Sequence, residues 1–255
     1  MKKQTIKQIE NQLSTISDES HPFLQEVVKD ERKGVQNLLA KWKKEKERER
    51  FYEAKFIDMT QYERKYRAQG FQWIAGIDEV GRGPLAGPVV ASAVILPEDF
   101  FLPGIDDSKK LSEKKREEYA EKIKSEAIAF SISMIDPEEI DRINIYEATK
   151  KAMLSAIASL DIKPDLLLID AMKLETPYES ESIIKGDAKS VSIAAASIVA
   201  KVARDRLMME ISASYPVYHF EQNMGYGTKE HIKAIEEHGI TPYHRKSFAP
   251  IKDLY

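Results

Sequence analysis

Apolar residues recur at helical spacing through the first 70 positions. Ile6, Ile9, Leu13 and Ile16 form one stripe, His21-Pro22 interrupts it, and Leu38, Leu39 and Trp42 begin another. Tyr52, Phe56, Met59, Tyr62 and Tyr66 continue a stripe beyond the charged run KKEKERER, and Gly34 and Gly70 mark breaks. The near-balanced signs of that run predict a solvated helix face laced with ion pairs. The aromatic stripe predicts packing rather than base stacking. From Phe71 the pattern changes to strand-like runs at 73–77, 89–96 and 127–135, with a helix after Ser112 as its N-cap. A further helical stretch starts over 137–141 and continues through NIYEATKKAMLSAIASL. DLLLI, residues 165–169, has four apolar residues in a row and predicts a central strand buried on both faces. KLETPYESES reads as turn-rich, followed by the apolar pair Ile183-Ile184. The alanine-rich SVSIAAASIVAKVARDRLMMEI reads as a helix capped by Ser190 or Ser192. The order of these elements predicts an α/β layered domain over 71–255, preceded by a helical segment over 1–70.

Composition adds exclusions. The chain has 255 residues, 42% hydrophobic and 32% charged, with no cysteine. Disulfides, thiolate metal sites and a cysteine nucleophile are therefore ruled out. The polar start has no signal-peptide core and no run approaches the ~18 apolar residues of a membrane span, so a cytoplasmic location is expected. Net charge is −3 but unevenly placed: residues 1–70 carry 16 Lys and Arg against 12 Asp and Glu, the remainder 23 against 30. A cationic segment on an acidic body suggests an auxiliary grip on duplex backbone or on a protein partner.

The candidate chemistry lies where apolar runs end. The run from Trp73 to Ile77 ends at Asp78 and Glu79, the buried run at Asp170, and Asp187 follows Gly186 just before a helix. Adjacent residues of a strand point to opposite faces, so Asp78 and Glu79 are expected to share a target only if the strand stops there. Singly, each acid has a plain alternative as a turn or cap residue. Together they form a carboxylate set that repels itself when ionised and that suits Mg²⁺ or Mn²⁺, which favour oxygen ligands. Two such ions roughly 4 Å apart stabilise the attacking and leaving oxygens of a phosphoryl displacement. The glycine turn Gly81-Arg82-Gly83, with Gly87 beyond it, is no dinucleotide-binding loop, because a strand follows where a helix is required. It lacks the Gly-Lys-Ser/Thr ending of a Walker loop.

IAGIDEVGRGPLAGPVVASAVIL, DDSKKLSEKKRE, LLLIDAMKL, KGDAKSVSIAAASIVAKVARDR and GYGTKEHIKAIEEHGITPYHRKSF, in this order, closely resemble ribonuclease HII over about residues 71–251. The resemblance does not extend to residues 1–70, and Arg82 between the paired glycines favours this family over the sister ribonuclease HIII. It implies a ribonuclease H-like α/β fold: a mixed five-stranded sheet flanked by helices, with a helical C-terminal lobe. It implies cleavage of the RNA strand of RNA–DNA hybrids, and incision 5′ of single ribonucleotides in duplex DNA. By motif match Asp78, Glu79, Asp170 and Asp187 would be the catalytic, metal-binding carboxylates. Gly81, Arg82 and Gly83 would read the ribose 2′-hydroxyl through backbone groups, and Tyr226 would stack on the adjacent sugar. Ser108, Lys109, Lys110, Lys189, Lys201 and Arg204 are read as phosphate contacts, with a solvated helix face as the alternative for the basic ones. His244 receives no role. A monomer is expected, and protein partners are not specified. Rival readings are a DNA nuclease of the same superfamily, separable on all-DNA substrates, and a non-catalytic nucleic-acid-binding module, separable by binding that ignores chelators.

Overall fold

The computed structural model describes residues 4–254 and divides into two compact units, one up to residue 57 and one from residue 58 onward. In the first, α1 (Ile6–Leu13) opens with a Thr5–Gln8 capping box, and α2 (Pro22–Val28) starts on a proline behind the His21 cap. The long α3 (Lys33–Met59) begins beside Gly34 and carries the charged run. Ile9, Leu13, Phe23, Leu24, Val27, Val35, Leu39 and Trp42 pack into this unit's own core. Lys46–Glu49 and Glu45–Arg48 ion pairs lie along the solvated face.

The second unit starts with α4 (Gln61–Arg67), after which the chain turns at Gly70, where φ is +99°. Then come β1 (Ile74–Val80), β2 (Val89–Ile95), α5 (Glu113–Glu126) and β3 (Ala129–Ile135). Next are α6 (Pro137–Ile143), α7 (Ile145–Ala158), β4 (Leu166–Asp170) and β5 (Glu179–Ile183). The chain closes with α8 (Val191–Ser214), α9 (Phe220–Asn223), α10 (Lys229–His238) and α11 (Ile251–Leu254). The five strands form one mixed sheet in the order β3-β2-β1-β4-β5, antiparallel from β1 to β3 and parallel from β1 to β5.

Strand alternation sorts the two sheet faces. Ala75 and Ile77 of β1, with Leu167 and Ile169 of β4, pack against Ala148, Ala152, Met153 and Ala156 of α7. Ile74, Leu166 and Leu168 face the other way, toward Ile193 at the start of α8. Here β1 and α8 approach unusually closely: a Cβ on Gly76 would lie 2.0 Å from the carbonyl carbon of Ser192. The α8 N-terminus is capped twice. Ser190 Oγ accepts from Ile193 N, and Glu63 Oε1 on α4 accepts from Ser190 Oγ at 2.6 Å and Ser192 N at 3.0 Å. Glu63 is itself buried, and burial raises its pKa.

Three sequence expectations need correction. The stretch read as turn-rich holds β5, whose Glu-Ser-Glu-Ser pattern lacks apolar residues because it forms a sheet edge. The helix expected to run on from 137–141 breaks at Asn144, where φ is +69° and the side chain caps α7. Finally, β1 does not stop at the acidic pair. It stays paired with β2 through Val80, and only its pairing with β4 ends at Ile77.

Candidate active site

That one-sided end of pairing creates the site. Ile77 is in register with Ile169, so the next residues, Asp78 and Asp170, stand side by side at the carboxyl ends of two parallel strands. Both belong to the α8 face, sharing parity with Ile74 and Leu168. Crevices beyond the carboxyl ends of parallel strands are where open α/β sheets place their ligands. Asp78 is 5% exposed; its Oδ1 accepts from Glu79 N at 2.7 Å, and Ser197 of α8 also hydrogen-bonds it. Asp170 Oδ1 accepts from Gly186 N at 2.6 Å, which brings the turn carrying Asp187 alongside β4. Glu79 follows beyond the last β1–β4 pair, within electrostatic reach of Asp78 and Asp170, and its Oε1 lies 3.3 Å from Arg82 Nη1.

The electrostatics join these groups. Burial, then the charges of Glu79 and Asp170, hold the Asp78 carboxyl well above the usual range. Burial likewise raises Glu79, against the opposing pull of Arg82. Asp170 and Asp187 are raised by burial and by the charge of Asp107, which Lys109 partly offsets. Asp107, not singled out in the sequence, therefore lies within electrostatic reach of both. Among the described residues no three Asp, Glu or His side chains close on one point as ligands of a single ion. The fit to a divalent cation lies instead in the donor set. Carboxylates raised by burial and then by neighbouring carboxylate charge, two of them fixed side by side by strand register and none with a sulfur partner, match an ion such as Mg²⁺ or Mn²⁺.

The glycine turn is built by two buried arginines. Gly81 and Gly87 have φ of +89° and +86°, where a side chain would be strained. Arg245 donates to the carbonyls of Gly81, Arg82 and Gly87 at 2.6–3.0 Å, and Arg204 to those of Ala86, Pro88 and Met224 at 2.9–3.0 Å. Burial and the neighbouring Arg204 charge push Arg245 down to about 9. Arg204 is thus no phosphate contact: it is fully buried and its donors serve the turn. Ser108 is corrected similarly, being buried with its hydroxyl against Ser197 Oγ at 3.1 Å. Lys201 is paired with Asp205 at 2.6 Å, and Lys110 with Asp106 at 3.1 Å. Lys109 and Lys189 are exposed.

Tyr226 is 44% exposed, and a Cβ on Gly83 would sit 3.8 Å from its ring. Gly83 and Tyr226 are therefore neighbours. Gly225 O accepts from Leu85 N and Ala86 N, and Gly87 N donates to Tyr243 O, which ties the turn to the C-terminal lobe. Sequence reasoning missed Arg245, whose only signal was a basic residue in the otherwise unassigned YHRKSF.

Comparison with known proteins extends the family likeness to the N-terminal helical segment, which the motif resemblance did not reach. A family model described as Ribonuclease HII matches residues 75–251, and one described as Ribonuclease HII N-terminal domain matches residues 5–67. A ribonuclease HII of Bacillus cereus is 59% identical over 254 residues, covering 100% of this chain and 99% of its own. The crystal structure of ribonuclease H2 from Pyrococcus horikoshii superposes with a TM-score of 0.62 at 26% identity, covering 71% of this chain and 96% of its own. The ribonuclease HII of Archaeoglobus fulgidus, solved in complex with PCNA, gives 0.59 at 27% identity, covering 69% and 95%.

Proposed function

The chain belongs to the ribonuclease HII family, an endoribonuclease family of hydrolases, and we propose that it cleaves the RNA strand of RNA–DNA hybrids and incises 5′ of single ribonucleotides in duplex DNA. The products are a 3′-hydroxyl and a 5′-phosphate. The observation that carries this reading is the register placing Asp78 beside Asp170, on the sheet face and strand ends that the Gly186–Asp187 turn also reaches.

Asp78, Glu79, Asp170 and Asp187 would hold divalent cations, Mn²⁺ or Mg²⁺. Bound there, they supply the positive charge that stabilises the attacking and leaving oxygens of an in-line displacement. The rest is done by the chain. Arg245 and Arg204 hold the carbonyls of the turn inward, and Gly83 keeps the surface beneath Tyr226 free of side chain. A ribose can then approach backbone and ring together, and its 2′-hydroxyl is the group that separates RNA from DNA at a site. Exposed Lys109 and Lys189 remain the candidates for phosphate contact.

The test is incision of a duplex carrying one ribonucleotide, with Mn²⁺ and Mg²⁺ compared and the product ends mapped. Cleavage of the all-DNA duplex instead would refute the substrate assignment. Tyr226→Ala should lower incision at the lone ribonucleotide roughly 10–100-fold, as loss of one base- or sugar-stacking aromatic does. Because the ring is half-exposed, the melting temperature should stay within about 2 °C.

The basic segment 1–70 is proposed as an auxiliary grip on duplex backbone, supported by its excess of Lys and Arg over an acidic remainder. A chain starting at residue 58 should show a shallower dependence of log Kd on log salt than the full chain. An unchanged slope would leave the segment to another role.

A further inference from the structure

Two histidines lie beneath Tyr226, and the proposed chemistry uses neither. His231 on α10 and His244 are 0% and 1% exposed, packed by their rings against Tyr218 and Phe220. His231 Nδ1 lies 2.8 Å from Tyr226 O, the two Nε2 atoms face each other at 3.0 Å, and His244 Nδ1 lies 2.9 Å from both Thr241 N and Thr241 Oγ1.

These partners fix the protons. A carbonyl only accepts, so His231 Nδ1 carries hydrogen. In the neutral ring its Nε2 is then an acceptor, and His244 Nε2 must donate to it. That leaves His244 Nδ1 bare, which suits the Thr241 N–H pointing at it. The relay runs in one direction, from Thr241 through both rings to the backbone of Tyr226, with one hydrogen at each contact. An additional proton would set N–H against N–H at one of two junctions. Burial and the neighbouring His231 accordingly lower His244 to about 4, and burial lowers His231.

The connectivity gives the relay a purpose. The backbone of His244 bridges Ala86, and Arg245 N donates to Leu85 O. Gly225 O takes the N–H groups of Leu85 and Ala86, and Tyr226 N donates to Asn223 O. A closed circuit results: glycine turn, His244, His231, Tyr226, Gly225 and back to the turn. We infer that His231, its tautomer fixed by His244, is a positioning element whose bond to the Tyr226 carbonyl holds that ring against the Gly81–Gly83 turn, and so governs incision at a ribonucleotide. This rests on the reading of Tyr226 as the sugar-contacting residue. It assigns the histidines no proton transfer to substrate.

Two amide replacements divide the relay. In Asn the amide lies two bonds beyond Cβ, where His Nδ1 lies; in Gln it lies three bonds beyond, where Nε2 lies. In the full chain, His231→Asn should keep a donor for Tyr226 O but abandon His244, whereas His231→Gln should keep an acceptor for His244 and release Tyr226. Both disturb one buried hydrogen bond, so both should lower the melting temperature by similar amounts. With the single-ribonucleotide duplex, His231→Asn should keep kcat/KM within about threefold and His231→Gln should lose roughly tenfold, the worth of one positioning hydrogen bond. On a Tyr226→Ala background, His231→Gln should add no further loss. Equal losses in the two variants, following stability alone, would overturn the positioning role while leaving the function intact. Normal incision by Tyr226→Ala would overturn the reading of Tyr226 and this inference with it.

Discussion

Asp78→Asn should abolish cleavage, by roughly 10³-fold or more, while making the metal-free protein more stable. The two effects share one cause. Asp78 is buried beside Asp170 and Glu79, and its pKa lies well above 3.8. A carboxyl raised in the folded state contributes stability that is present below its unfolded pKa and lost as pH rises through its folded value. Above that folded value, without cations, the contribution is gone. Asparagine removes the charge for good and can still accept the Glu79 N–H. Divalent cations should offset the same repulsion in the unaltered chain. At about 100 times its Kd, an ion bound only by the folded state adds ~2.7 kcal/mol, or roughly 5–10 °C for a domain of this size. Scanning calorimetry in EDTA and in Mn²⁺ should therefore show a large rise for the unaltered protein and little for Asp78→Asn. Lowering pH through the raised carboxyl range should stabilise the metal-free form as well, since protons then replace the missing cation. Near-normal turnover by Asp78→Asn would remove the carboxylate from the mechanism.

Gly76→Ala should cost more stability than any other single methyl addition in the sheet. Its Cβ would meet Ser192 C at 2.0 Å, Ser192 O at 2.2 Å and Ile193 N at 2.4 Å. All three are backbone atoms in a doubly capped helix start, so no side chain can rotate away. Strand and helix must part by more than an ångström, and overpacking of this kind exceeds the ~1–3 kcal/mol of ordinary cases. A fall of at least about 10 °C in melting temperature is expected. Activity should fall as well, because Asp78 lies on β1 and its Ser197 partner on α8. Gly83→Ala is the control. Its Cβ meets only the Tyr226 ring, at 3.8 Å, so melting should be nearly unchanged. A Gly76→Ala protein that melts normally would show that β1 and α8 are less tightly joined than their spacing indicates.

Much of this arrangement was legible in the chain, and the exceptions are instructive. The buried run Leu166–Ile169 announced a central strand because parallel strands are covered on both faces, and the acid ending it marked the crevice. The polar edge strand β5 could not be read, since its stability comes from backbone bonds to β4 rather than from apolar side chains. Arg204 was misplaced for the opposite reason: an arginine in a helical basic pattern gives no sign that it will be buried by carbonyls from a distant turn. Arg245 and the histidine pair were invisible alike, because their roles exist only when residues some 160 and 13 positions away close on them. The metal-binding assignment rests on chemistry that local pattern does carry, acids at the points where buried runs end.

The position of Glu63 bears on how the enzyme can be shortened. It sits upstream of the first strand, yet it anchors the opening turn of the helix that lies against the catalytic strand. A catalytic fragment cut where the strand grammar begins, at residue 71, would strip the first turn of a 24-residue helix of a buried acceptor and leave the Ser192 amide without its partner. The workable boundary lies before α4, so that Glu63 stays with the helix it caps.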